Sequence, residues 1–148
     1  MSFAGIDAVW TFDIEGEIDR VFLGRDATPD PYFVDNICFG GQFHHPHGGT
    51  GRTSGELWVL SSQEQSSEVQ RYQCNEGDLS IDEIYPPPYE NFASLAGGNI
   101  LVGESTVILN WGFVGLVEER DIETQSQLWQ LESDLGFGIG FVSWSAKP

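Results

Sequence analysis

The chain has 148 residues and a formal net charge of −17, from 23 acidic against six basic side chains. Apolar residues make up 40% and aromatics 13%, too hydrophobic for a disordered polymer, and the length suits one domain. The acidity argues against nucleic-acid partners and anionic lipid surfaces, and no apolar run reaches the roughly 20 residues that a membrane-spanning helix needs.

Residues 1–12 hold no basic stretch followed by an apolar run, so no secretory signal is expected and synthesis in the cytoplasm is. In Val9–Ile18 the residues Trp10, Phe12, Ile14 and Ile18 alternate with Thr11, Asp13, Glu15 and Glu17, which predicts one half-buried strand. Phe33–Phe39 follows with Phe33, Ile37 and Phe39 on one face. Glu56–Leu60 and Glu68–Cys74 read as strands flanking the polar loop Ser61–Ser67, and Leu79–Tyr85 aligns Leu79, Ile81 and Tyr85. Ile100–Trp111 is apolar on both faces, as a strand buried on both sides is. Phe113–Val117, Ile122–Leu131 and Phe137–Trp144 complete the set. Only Val117–Leu131 has the composition of a helix, and its alternation favours a strand.

Turn chemistry at 24–31, 40–55, 86–88 and 97–98 separates these short strands. The pattern predicts a single all-β domain spanning 1–148, a β-sandwich or closed β-barrel of about nine mostly antiparallel strands. In Gly136–Phe141, Phe137, Ile139 and Phe141 share a face opposite bare glycines, which implies strong curvature or a close neighbour. Cys38 and Cys74 are expected as free thiols, Cys38 inert within an apolar strand.

All three histidines fall in His44-His45-Pro46-His47. An extended backbone turns His45 and His47 to one side, where they could share a metal ion with Asp35 or Glu56 as third ligand. The His-x-His spacing resembles the cupin metal motif, but the glutamate that follows closely in cupins is missing, and a solvated loop is the simpler expectation. No serine sits in a G-x-S-x-G elbow, and the glycine-rich run 48–55 lacks the G-K-[ST] ending of a phosphate loop. No cofactor is expected. Gly48–Leu60 resembles the glycine-serine turn and strand of fungal fruit-body lectins, which implies a sugar-binding alternative.

The aromatic and proline-rich stretch Ile84–Phe92 reads as a stiff docking arm. Its Tyr85, Pro87, Pro88, Tyr89 and Phe92, with Trp58 and Trp111, are the candidate binding or interface residues. An all-β chain with no catalytic inventory and stiff aromatic loops is expected to be a structural or assembly subunit. A small virion component (capsid decoration, head-fibre or tail protein) that packs through apolar loops and termini against copies of itself or other subunits fits. Two alternatives stand beside it. A lectin-like module would bind glycans on an aromatic platform of Trp58, Trp111 and Tyr89, and a small barrel cyclase or isomerase would enclose an apolar substrate.

Overall fold

A computed structural model of the chain describes residues 2–28, 36–53, 55–62, 67–87 and 100–134. Within them the fold is mostly β, in three four-stranded sheets. The first sheet holds β1 (Ser2–Phe3), β2 (Ala8–Phe12), β3 (Ile18–Leu23) and β4 (Ile37–Cys38), antiparallel except for the parallel β3–β4 pair. The second is the meander β5 (His47–Thr50), β6 (Glu56–Ser62), β7 (Ser67–Asn75) and β8 (Asp78–Tyr85). The third is the meander β9 (Ile100–Val102), β10 (Thr106–Trp111), β11 (Leu116–Asp121) and β12 (Gln127–Glu132). No sheet closes into a barrel among the described residues.

The middle of the core follows from the pleat. Along β6, Trp58 and Leu60 point to one face and Leu57 and Val59 to the other, and all four are buried. Trp58 and Leu60 join Val69 and Tyr85 against Val107, Leu109, Trp111 and Leu116 of the third sheet. On the opposite face Leu57, Val59, Tyr72 and Leu79 pack with Val9 and Phe22 of the first sheet and with Phe43. The second sheet is therefore apolar on both faces, each large side chain contributing about 1.5–3 kcal/mol by leaving water. A smaller cluster, Ala8, Val21 and Leu23 packed by Trp10, Ile18 and Ile37, covers the far face of the first sheet.

Several expectations change on contact with this arrangement. Val9–Ile18 is not one strand but a hairpin, β2 and β3 joined through 13–17. Asp13 Oδ1 accepts the backbone N–H groups of Glu15 and Glu17 at 3.0 and 2.9 Å, and Gly16 turns the chain at φ 87°. Ile14 consequently sits on the turn, 99% exposed, and Val9, of the opposite parity, enters the core. Ile100–Trp111 likewise splits into β9 and β10 about the turn 103–105, closed by Gly103 N–H donating to Thr106 O at 2.8 Å. Gly112–Val114 forms a 3₁₀ turn ahead of β11, and β12 begins only at Gln127. Twelve strands thus stand among the described residues, where about nine were expected in the whole chain. Between 117 and 131 the chain is strand and turn, not helix. Phe33, Phe137–Trp144 and the glycine face of Gly136–Phe141 lie outside the described residues.

The cysteines are not free. Cys38 and Cys74 form a disulfide across 36 positions, tying β4 to β7 inside the core. Nothing in their spacing announces the pair; the sheets bring it together, with Phe39 bridging the 77–79 backbone beside it.

Candidate functional site

Three of the aromatic candidates, Trp58, Trp111 and Tyr85, belong to the core. Each is 0% exposed, so none forms the platform or docking tip expected of it. Each ring's polar tip is satisfied by a carboxylate: Trp58 Nε1 donates to Glu56 at 3.0 Å, Trp111 Nε1 to Glu118 at 2.8 Å and the Tyr85 hydroxyl to Glu83 at 2.6 Å. Burial, with Glu83 adding to it, raises the Tyr85 pKa well above the usual phenol range. Pro87 is half-buried at the end of β8, and Pro88, Tyr89 and Phe92 lie outside the described residues.

Glu56 is a structural hub. Its buried carboxylate accepts from the Arg52 backbone N–H at 2.9 Å, from the Arg52 guanidinium at 3.1 and 3.2 Å, from Arg71 Nε at 3.1 Å and from the Trp58 indole. A Cβ on Gly51 would collide with the Glu56 carbonyl oxygen, so only glycine lets the loop approach this closely. Burial opposes ionisation of Glu56, but these hydrogen bonds and the Arg52 charge outweigh it and hold its pKa below the ordinary value. Arg71 also lies over the Trp58 ring, 5.5 Å from its centroid, and reaches Asp82 and Glu83. Glu56 is thus committed and does not serve as a third metal ligand. Beside it opens a polar cavity of about 240 Å³ lined by Thr11, Asp19, Phe22, Arg52, Thr53 and Glu56.

The histidine loop is arranged differently from its sequence reading. His47 enters β5 opposite Leu60, where burial, assisted by His45, lowers its pKa. His44 and His45 are drawn instead to Asp7, which lies between the first 3₁₀ turn and β2. His44 Nδ1–H donates to Asp7 Oδ2 at 2.6 Å, and the His45 backbone N–H donates to Asp7 Oδ1 at 2.8 Å. The two rings lie against each other with centroids 4.2 Å apart and planes tilted by 40°, and Asp26 Oδ2 stands 3.5 Å from His44 Nδ1. Asp35, the other acid considered, lies outside the described residues. Asp7 was missed because it is 37 positions from His44 and carries no local signal.

Among the described residues, β12 is the strand with the most exposed large apolar side chains. It is the outer strand of its sheet among the described residues, and every one of its residues is exposed. Leu128, Trp129 and Leu131 are 54%, 41% and 58% exposed. The Trp129 indole N–H is held by Glu119 of β11, which keeps the ring standing on the sheet.

No protein-family model matches the chain, and no characterised protein matches it.

Proposed function

We propose that the protein is a non-enzymatic structural subunit that assembles with copies of itself, and that β12 is the joining edge. The observation that carries this is a strand that is outermost in its sheet among the described residues and exposed along its whole length, with three large apolar side chains in water. Two-fold pairing of β12 with its copy would extend the third sheet and bury Leu128, Trp129 and Leu131 together. Ile6 at 56% and Ile14 at 99% exposure supply the apolar loops that such packing uses.

A small virion component remains the setting we favour. A particle surface tolerates the −17 charge, and the Cys38–Cys74 disulfide suits a protein that ends in an oxidising medium after synthesis in the cytoplasm. Within it the chain would be a layered β-sandwich, its second sheet covered on both faces. The lectin reading loses Trp58 and Trp111 as a platform, and the polar lining of the cavity beside Glu56 gives an isomerase of apolar substrates no support.

Hydrogen exchange tests the edge. The β12 backbone amides should become protected as protein concentration rises, and Leu131→Asp should remove that dependence. Exchange in β12 that is the same at every concentration would refute the proposal; protection already present in the dilute monomer would show that the chain covers its own edge.

A further inference from the structure

We propose that Asp7, His44 and His45 form a binding site for a divalent transition-metal ion of the zinc type, independent of the β12 edge. One carboxylate oxygen and one nitrogen from each ring all lie within 4.8 Å of one another, the group that the described residues bring together for such a role. Zinc holds nitrogen and oxygen ligands at about 2.0–2.2 Å, so small side-chain rotations close this cluster around an ion. Two imidazoles with a carboxylate suit zinc, nickel or copper better than calcium or magnesium, which take oxygen ligands.

Three features raise the cluster above an ordinary surface ion pair. The Asp7 side chain is only 3% exposed, so its charge is held out of water and gains from a cation close by. Asp7 at φ 46° and His45 at φ 43° both occupy the left-handed region that non-glycine residues avoid, and this strain converges on the same point. His45 is exposed and His44 partly so, which leaves a solvent-facing side for the ion to enter and for water to complete the shell. Asp26, 68% exposed and beside His44, adds negative potential at that entrance.

The arrangement differs from a His45–His47 pair in a way that can be measured. Zinc chloride is titrated calorimetrically into the full chain after chelator treatment, with calcium chloride as control for the acidic surface. One equivalent of zinc should bind, and His45→Ala and His44→Gln should each weaken binding about 10-fold or more, while His47→Ala leaves it unchanged. His45 is exposed, so its variant should keep the wild-type circular dichroism. Absence of zinc binding, equal binding of calcium, or a His45→Ala protein that binds like wild type would each overturn the assignment. So would loss of binding in His47→Ala with His44→Gln unaffected.

Discussion

Reduction of the Cys38–Cys74 bond should cost the protein about 4 kcal/mol. The bond spans 36 positions, and a cross-link closing a loop of that length withdraws about 13 cal/mol/K of entropy from the unfolded chain. At room temperature that is roughly 4 kcal/mol, a large share of the 5–15 kcal/mol that holds an ordinary domain together. Both cysteines are buried, 0% and 7% exposed, so the reduced thiols stay packed and the native state itself changes little. For a chain of this size the loss corresponds to about 8–16 °C in Tm. Guanidinium and thermal melts with and without a phosphine reductant measure it, beside mass spectrometry of denatured, unreduced protein after thiol alkylation. Two alkylated cysteines in the unreduced protein, or superimposable melts, would refute the reasoning.

Glu56→Gln should lower stability by about 3 kcal/mol at neutral pH, because it leaves Arg52 and Arg71 facing an uncharged partner in a buried network. Since the Glu56 pKa is depressed in the fold, its contribution is complete above the ordinary carboxylate range and is lost as pH falls through the folded value. The wild-type and Glu56→Gln stabilities measured by urea melts should therefore converge as pH falls below the ordinary carboxylate range, and a constant gap would contradict the network. Tyr72 titrates in the opposite range: burial pushes its pKa up to about 12, although the Gln42 backbone N–H that it accepts works against this. Its hydroxyl proton is retained by the fold while an unfolded tyrosine loses its own near pH 10, so stability falls as pH rises from about 10 towards 12. In an ultraviolet titration Tyr72→Phe should leave the native curve below about pH 11 unchanged and remove one tyrosine from the unfolded curve. A native curve that loses amplitude there would show Tyr72 to be exposed.

The middle sheet was largely legible from the amino acids. Glu56–Leu60, Glu68–Cys74 and Leu79–Tyr85 carry apolar residues at strand spacing with no glycine or proline inside, and each appears as a strand within two residues of those bounds. Alternation misled where a turn was hidden inside it. Trp10, Phe12 and Ile14 keep one parity through Asp13 and Gly16, yet the Asp13 side chain finds the turn amides before the strand continues. Aromatic type did not reveal burial either. Trp58 lies between Leu57 and Val59 on a strand with both faces covered, and that flanking pair was the available sign of a core position. The disulfide, the Asp7–His44 contact and the Glu56 hub depend on residues far apart in the chain or on loop closure, and no periodicity encodes them. The exposed edge was equally hidden, because the alternation of Leu128 and Gln130 with Trp129 and Leu131 marks a strand but not its place in the sheet, and only the sheet order puts β12 at the margin of the described residues.

Light scattering on untagged protein at low and high salt decides whether β12 joins copies of the chain. A defined dimer or larger closed assembly, tightening as salt screens the −17 charge and lost in Leu131→Asp, is the expected result. A wild-type mass equal to the monomer at both salts would contradict it.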